Sequence, residues 1–324
     1  MSDLRNEFAY SWSRAEAFYQ CPRRFYWQHY GSWLGWEDEA SKEARLAYRL
    51  KHIQSLAMLI GRIFHDVVGK ELRDRPERPC GVPLEKLHGH AEQQLQEQLA
   101  ASREKRWRSS PKYNANLFED YYGGGLTARE AREGLEALHK CLDGFAAVGF
   151  GKRAFGVVRS KLRMVDDPQK FDQKRALIDG LIVYAPPDLL VEGKDGVSLH
   201  IVDWKTGRQR AASLPQLAVY GLVVSEQHHV PIDKLTAHLV YVGQDVCEDY
   251  PDLAAGIEEA KRNIGTFVSD VLDRLTDVSL NLAGDIDQFP MTKDLWKCRS
   301  CKFRELCGRT GETALVPDED LTSD

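Results

Sequence analysis

The sequence predicts an α/β fold in which helices flank a mixed central sheet and a helical region precedes that sheet. Helices are predicted over much of residues 1–150, with apolar residues near helical spacing over 43–73, and the period then changes to β-branched, partly alternating runs at 155–165, 175–185 and 197–207. A helix over 213–227, a strand over 234–243 and a helix over 252–275 follow. This order, helix, three strands, helix and strand, is typical of a layered α/β core.

Three segments make up one integrated domain in this interpretation. Residues 1–150 form a helical elaboration, residues 151–285 form the sheet-containing core, and residues 286–324 form a cysteine-containing tail. Within the first segment, helices are predicted over 12–30, 43–73, 84–106 and 127–148. The last of these opens with Thr127 followed by Glu130, the spacing of a capping box.

Composition limits the class of protein. The chain has 324 residues, of which 43% are hydrophobic and 29% are charged, and no run approaches the 18 apolar residues of a membrane span. The N-terminus lacks the apolar stretch of a secretory signal, so we expect a cytoplasmic protein whose seven cysteines are thiols or metal ligands. The net charge of −5 argues against a protein that coats nucleic acid, but allows an enzyme with positive charge along its substrate track.

Two acids occupy unusual positions. Asp179 stands within the apolar run Ala-Leu-Ile-Asp-Gly-Leu-Ile-Val-Tyr, and Asp203 follows Ile-Val at the end of another apolar run. A carboxylate inside an apolar strand is costly unless it is paired or binds a metal. Lys205 follows Asp203 by two positions, which places both side chains on one face of the strand. Two carboxylates bind Mg²⁺ well, and a neighbouring ammonium offsets charge that develops on a phosphate.

Further polar residues accompany these acids in sequence. Gln216 and Tyr220 lie four positions apart on the helix after Asp203, so they share one helix face, and His65 lies on an upstream helix. Each feature alone is weak, since an Asp-x-Lys pair on a strand is most often a surface pair. Together they favour a metal-dependent nuclease site.

These motifs resemble those of the RecB-like branch of the PD-(D/E)XK nuclease superfamily. That branch carries Gly-x-x-x-His on a helix, an acid in an Ile-Asp-Gly strand, Asp-x-Lys-Thr-Gly at a strand end, and Gln-x-x-x-Tyr on the next helix. The matching residues are Gly61 with His65, Asp179, Asp203 with Lys205, Thr206 and Gly207, and Gln216 with Tyr220. The resemblance implies a restriction-endonuclease-like core. Residues 74–150 match nothing in the family pattern, and the run 155–165 lacks the glutamate that the family often carries before its first acid.

The resemblance also implies roles for these residues. His65, Asp179, Asp203 and the backbone carbonyl of Trp204 are expected to bind Mg²⁺ or Mn²⁺, and Lys205 to act on the attacking water. Gln216 is expected to hold the site together, and Tyr220 to contact substrate or to pack beside it.

Four cysteines lie at the two ends of the chain. Cys21 is near the N-terminus, and Cys298, Cys301 and Cys307 lie within ten residues near the C-terminus. Four thiolates suit either a zinc ion or an iron–sulfur cluster. The one-plus-three pattern is similar to that of the iron–sulfur nucleases, namely the CRISPR-adaptation exonucleases and the AddB nuclease domain. It therefore implies a 4Fe–4S cluster that ties the two ends together. Zinc is the alternative.

The resulting hypothesis is a Mg²⁺- or Mn²⁺-dependent deoxyribonuclease that acts on single strands or ends in DNA processing, recombination or phage or CRISPR-type defence, and we expect an exonuclease. The chain has no P-loop motif, so a helicase or another nuclease or defence subunit is the expected source of any ATP use. The alternative hypothesis is a non-catalytic DNA-binding or scaffold subunit of a larger nuclease complex.

Overall fold

A computed structural model describes residues 4–147, 149–167, 174–209 and 214–310. The end of the predicted cysteine tail, 311–324, lies outside the described residues. None of the helices in the described part of the chain is long and apolar enough to cross a membrane. The helices are α1 Trp12–Gln20, α2 Pro22–Tyr26, α3 Lys42–Lys51, α4 Leu56–Asp74, α5 Leu84–Arg103, α6 Phe118–Tyr121, α7 Ala128–Ala147, α8 Gly149–Gly156, α9 Leu214–His228, α10 Ala254–Leu272 and α11 Trp296–Arg299.

The strands form a five-stranded central sheet and three smaller sheets. They are β1 Ala9–Tyr10, β2 Ile53–Gln54, β3 Asn116–Leu117, β4 Leu162–Val165, β5 Arg175–Ile178, β6 Leu181–Tyr184, β7 Leu189–Glu192, β8 Leu199–Lys205, β9 Leu235–Tyr241, β10 Val246–Tyr250, β11 Leu275–Asp277 and β12 Leu282–Ala283. The central sheet has the order β10-β9-β8-β7-β4, and β1-β6-β5 form a second sheet. Among the neighbouring strand pairs of the central sheet in the described residues, β8 with β9 is parallel and the others are antiparallel. The fold is the mixed α/β type that the sequence predicts.

Helices cover both faces of the central sheet. Ile201 of β8 packs in a core with α9 and α10, whereas Val202 and Trp204 pack in a second core with α4, α5 and α7. This alternation follows from the period of two along a strand. It places Asp203 and Lys205 on the side of α9.

Several predicted elements are interrupted. The predicted helix over 43–73 is two helices, because β2 intervenes and the Ser55 side chain caps α4 by accepting a hydrogen bond from the Met58 N–H. The predicted helix over 12–30 breaks at Cys21, where Pro22 opens α2. The capping box before α7 is confirmed: the Glu130 N–H donates to the Thr127 hydroxyl, and the Glu130 carboxylate accepts from the Thr127 N–H.

Two predicted strands differ in kind. Of the run 155–165, the first two residues end α8, and only Leu162–Val165 form a strand. The run 175–185 is a β-hairpin rather than one strand, since β5 and β6 pair antiparallel around a turn at Asp179 and Gly180.

Candidate active site

The end of β8 presents the first pair of charged side chains. Lys205 Nζ lies 2.6 Å from Asp203 Oδ2, and only 5% of the Asp203 side chain is exposed. The two residues lie on one strand face, as their spacing predicts. A buried carboxylate is costly without a partner, and the ammonium is one such partner.

Helix α9 completes a closed set of hydrogen bonds with this pair. Lys205 Nζ donates to Gln216 Oε1 at 3.0 Å, Gln216 Nε2 donates to the Tyr220 hydroxyl at 2.8 Å, and Tyr220 donates to Asp203 Oδ1 at 3.1 Å. Tyr220 is buried. Its hydroxyl therefore positions Asp203, while Gln216 positions the Lys205 ammonium. Of the two expectations for Tyr220, packing beside the site is the one its burial fits.

A second carboxylate that the sequence prediction missed stands beside this set. Leu189 of β7 pairs with Val202 of β8, so Asp188, one residue before the strand, lies opposite the end of β8. The Trp204 N–H donates to Asp188 Oδ2 at 2.6 Å, and His65 Nδ1 of α4 lies 3.0 Å from Asp188 Oδ1. Asp188 therefore connects the predicted His65 to the predicted acid strand.

The prediction that Asp179 lies inside an apolar strand is wrong. Asp179 is exposed at the turn between β5 and β6, in the other sheet, with φ of 49°, and Gly180 follows with φ of 81°. Positive φ at both central positions is the signature of a type I′ hairpin turn, for which Asp-Gly is a favoured pair. Among the contacts of the described residues, none joins Asp179 to His65, Asp203 or Lys205.

A usable signal for Asp188 was present in the sequence. Asp188 follows two prolines, precedes the apolar run Leu-Leu-Val, and stands before a Gly-rich turn that leads into β8. In an antiparallel hairpin, the residue before the first strand lies opposite the end of the second strand. The acid that would face Asp203 could be found by counting along that hairpin.

Helix α4 approaches the strand end closely. A Cβ added at Gly61 would lie 3.1 Å from the Thr206 hydroxyl, so a larger residue there would require the Thr206 side chain or α4 to shift by a few tenths of an ångström. His65, one turn further along α4, lies against Asp188. Gly61 of the predicted helix motif therefore allows α4 to lie close to the end of β8. That position of α4 brings His65 of the same motif to Asp188.

The electrostatics of the site are dominated by burial and by the closeness of the acids. Burial, followed by the charge of Asp188, raises the pKa of Asp203 above its usual range, against the opposing effect of Lys205. Burial alone lowers the pKa of His65, but the charge of Asp188, its hydrogen bond and the charge of Asp203 outweigh burial and leave that pKa raised. Burial, and then the charge of Asp203, raise the pKa of Tyr220 well above its usual value, so its hydroxyl stays a donor.

The residues present fit a divalent metal. Two carboxylates are ligands suited to Mg²⁺ or Mn²⁺, and the imidazole adds a nitrogen ligand; a cation would counter the charge of Asp188, which adds to burial in raising the pKa of Asp203. The ligand atoms of His65, Asp188 and Asp203 are not all within 4.8 Å of one another in the described part of the chain. Metal binding would therefore require Asp203 to turn from Lys205 towards Asp188. The Trp204 carbonyl remains a predicted fourth ligand.

A family model provides the comparison that decides the family. The model described as the PD-(D/E)XK nuclease superfamily matches residues 9–308, which is most of the chain. The chain belongs to this superfamily. A search of curated proteins gave no significant match. As a member of a nuclease superfamily, the protein has a mixed α/β core of the expected kind, and the acids at the end of β8 and before β7 are its natural candidates for catalysis.

The four terminal cysteines form a second cluster. Cys21 lies between α1 and α2, and its sulfur accepts a hydrogen bond from the Thr292 N–H at 3.4 Å. The Arg309 guanidinium donates to the Cys298 sulfur at 3.2 Å. In addition to burial, the charges of Cys21 and Cys298 contribute to the raised pKa of Cys301, and those of Cys301 and Cys21 contribute to the raised pKa of Cys307, so these thiols lie close together. The structure thus brings together the four cysteines that the sequence singles out.

The surroundings of this cluster favour a bound cationic group over four bare thiolates. Burial raises the pKa of Cys307 to about 11 and also raises the pKa of Cys301. Unligated, these two groups are protonated thiols at neutral pH. A metal centre supplies the positive charge that lets four neighbouring sulfurs be thiolates together.

The positions of the sulfurs bear on the choice between the two candidate metals. Tetrahedral zinc with bonds of ~2.3 Å holds its sulfurs about 3.8 Å apart. In the described part of the chain, no three of the four cysteine sulfurs lie within 4.8 Å of one another. A 4Fe–4S cube is larger than one ion and holds its thiolates further apart. An arrangement wider than that around one zinc ion is compatible with a cluster, and the identity of the metal stays a prediction.

The remaining cysteines lie elsewhere. The Cys141 thiol is buried and lies 3.8 Å from the Thr206 carbonyl oxygen, Cys80 is half-buried, and Cys247 is exposed on β10.

Proposed function

We propose that this protein is a Mg²⁺- or Mn²⁺-dependent nuclease that hydrolyses phosphodiester bonds of DNA. The observation that carries the proposal is the convergence of Asp188, Asp203 and Lys205 at the end of β8, with His65 joined to Asp188. A purely structural ion pair would need Asp203 and Lys205 alone. The second carboxylate and the imidazole add ligands that suit a metal bound next to a scissile phosphate.

In this mechanism, His65, Asp188 and Asp203 would hold the metal ion, which would supply a Lewis acid for the phosphodiester and for the attacking water. Lys205 stands next to Asp203 and offsets negative charge on the phosphate as the water attacks. Gln216 keeps the Lys205 ammonium in place through its amide oxygen, and Tyr220 keeps Asp203 in place through its hydroxyl. Both α9 residues therefore act through the two strand residues.

The direct test compares wild type with Asp203→Asn in a cleavage assay on single- and double-stranded DNA with Mg²⁺ or Mn²⁺. Asparagine keeps the shape and the acceptor for Tyr220 but removes a charged metal ligand. We expect a loss of at least about a thousandfold, which corresponds to ~4 kcal/mol. Wild-type rates in the folded variant, or a wild type that binds DNA and never cleaves it, would contradict the proposal. The second outcome would favour a non-catalytic DNA-binding subunit.

We also propose that the terminal cysteines hold a 4Fe–4S cluster, which would place the protein near the RecB-like iron–sulfur nucleases. The clustering of the four cysteines and their wide spacing support this assignment. A role in DNA processing, recombination or phage defence, with a helicase or another nuclease subunit as partner, follows by analogy. Cysteines that are all unpaired fit a reducing compartment such as the cytoplasm.

A basic and aromatic surface supports a single strand or a strand end as the substrate. A hollow of about 390 Å³ is lined by Trp36, Tyr48, Tyr113, Arg45, Arg49, Arg108 and Lys112, with Glu37 and Asp38 as its only acids. Tyr113 is 72% exposed. Exposed aromatic rings stack on unpaired bases, and the cations attract the phosphates. We propose that the substrate strand passes over this hollow.

Replacement of Tyr113 by alanine should weaken the binding of single-stranded DNA about tenfold, since one base–aromatic stack contributes ~1–3 kcal/mol. Duplex binding should change less. Fluorescence anisotropy with labelled oligonucleotides would measure both affinities. Tyr19→Ala is a matched control, because Tyr19 is also exposed but donates its hydroxyl to the Asp270 carboxylate, which repels phosphate. Equal losses in the two variants would remove the proposed path.

A further inference from the structure

The edge of the central sheet carries a compact group of three possible metal ligands. His238 of β9 pairs directly with Asp249 of the edge strand β10, and Cys247 lies two positions earlier on the same face of β10. The ligand atoms of these three side chains all lie within 4.8 Å of one another. None of them takes part in the candidate active site or in the group of terminal cysteines.

The contacts within this group converge on Asp249. His238 Nδ1 lies 2.7 Å from Asp249 Oδ1, and Cys247 Sγ lies 3.4 Å from the same oxygen. The other ring nitrogen of His238, Nε2, lies 2.9 Å from Nδ1 of His200 on β8. Nδ1 of His238 therefore faces the Cys247 thiol and the Asp249 carboxylate. Nε2 faces His200, which fixes the orientation of the His238 ring.

A simpler explanation is a buried histidine oriented by a carboxylate, and it accounts for His238 and Asp249. It does not account for Cys247, because the Asp249 carboxylate alone orients the histidine and the exposed strand position beside it needs no thiol for that purpose. Burial also differs in a way that suits a bound ion. His238 is 5% exposed, whereas Cys247 and Asp249 are exposed, so the group opens to solvent on one side.

The charges that face the group are compatible with a divalent cation. The Arg153 guanidinium of α8 lies 4.7 Å from the Phe150 ring centre, and Phe150 in turn contacts the His238 ring. That positive charge opposes a second cation. A thiolate at Cys247 and a carboxylate at Asp249 together balance the two charges of the metal ion, so the bound group adds no net charge beside Arg153.

We propose that His238, Cys247 and Asp249 bind a Zn²⁺ ion, with His200 as the residue that orients His238. Imidazole, thiolate and carboxylate form a donor set suited to zinc, and three protein ligands leave the fourth position to water. Binding releases the Cys247 thiol proton to solvent, and a neutral His238 with its proton on Nδ1 exchanges it with solvent for one on Nε2, which then donates to His200 Nδ1. Zinc bonds of ~2.1 Å place nitrogen and oxygen about 3.4 Å apart, so the exposed Asp249 carboxylate must move outward by less than about 1 Å.

The ion would close the edge of the sheet. β10 is an edge strand that pairs only with β9 in the described part of the chain, and edge strands are held weakly. A metal shared by β9 and β10, and braced by His200 on β8, ties three successive strands together.

The test measures zinc in anaerobically purified full-length protein after dialysis against buffered micromolar free zinc. Asp203→Ala serves as the common background, so that metal at the candidate active site does not enter the count. We expect one zinc per chain more in this background than after the added change Cys247→Ser. Co²⁺ in place of Zn²⁺ should give thiolate charge-transfer absorption that Cys247→Ser abolishes, with iron content the same in both proteins.

Two further variants complete the test. Glu248 lies between Cys247 and Asp249 on β10, and its side chain is on the opposite face of the strand. The variant Glu248→Gln should therefore keep the zinc. His200→Gln should weaken zinc affinity about 10–100-fold, as expected for loss of a residue that orients a ligand. Equal zinc content in the background and in Cys247→Ser would overturn the proposal. Since Cys247 is exposed, this variant should fold, and circular dichroism without zinc would verify that.

Discussion

Asp188→Asn is expected to abolish phosphodiester cleavage, and Asp179→Asn to leave it at the wild-type rate. Asp188 lies between His65 and the backbone of Trp204, at the place where a metal ligand is needed. Loss of that charged ligand should reduce cleavage by at least about a thousandfold. Asparagine keeps an oxygen that accepts from the Trp204 N–H, so the turn into β7 should survive.

The matched control uses the same chemical change. Asp179 is exposed in a type I′ turn, and Asn-Gly is as favourable there as Asp-Gly, so Asp179→Asn should fold normally. Both variants would be assayed for cleavage and for Mn²⁺ binding by calorimetry. Full activity of Asp188→Asn, or inactivity of a folded Asp179→Asn, would contradict this prediction. The second metal-binding acid would then be Asp179 in the hairpin turn, as the sequence motif suggested.

The contrast between these two acids shows how far the sequence could predict the site. Asp203, Lys205, Gln216 and Tyr220 were found by spacing, because periods of two and four place side chains on one face of a strand or a helix. The structure brings all four together. The partner acid, Asp188, precedes β7, and it can be placed opposite Asp203 only once β7 and β8 are recognised as a hairpin.

The same limit explains the errors in the fold. The run around Asp179 is apolar on both sides, so it could be interpreted as one strand, although the Asp-Gly pair is a local hairpin signal. The run 155–165 was ambiguous because Phe150, Ala154 and Phe155 are buried at helical spacing, and the helix therefore continues into it. The four elements predicted after residue 197 agree closely with β8, α9, β9 and α10, since each has a clear period and clear turn residues on both sides, whereas β10, β11 and β12 were not predicted.

Cys21→Ser is expected to release the iron from the protein and to lower its melting temperature. Cys21 is followed 277 positions later by Cys298, so a cluster that holds both closes a loop of most of the chain. Direct contacts already support this closure. Arg23 Nε donates to the Phe289 carbonyl at 2.8 Å, and the Arg23 N–H donates to the Pro290 carbonyl at 3.2 Å. The cluster would strengthen the interface that these two hydrogen bonds already form between the two ends of the chain.

The expected magnitude follows from loop closure. In the chain-entropy model, a cross-link around a loop of this length stabilises the folded state by about 5 kcal/mol, which corresponds to a shift of about 10 °C. Differential scanning fluorimetry and measurement of iron, sulfide and zinc in anaerobically prepared protein would test both expectations. Cys80→Ser is the control, since Cys80 is half-buried and lies outside the group of terminal cysteines.

The outcomes separate the remaining alternatives. One zinc per chain with no iron at the terminal cysteines would assign that site to zinc, despite the wide sulfur spacing. Normal iron content and normal melting temperature in Cys21→Ser would show that Cys298, Cys301 and Cys307 hold the metal alone. The Arg23 contacts would then be sufficient to join the two ends. Loss of iron together with retained cleavage would show that the candidate active site works independently of the terminal cysteines. The acids at the end of β8 would then be active in a core that folds without the terminal metal centre.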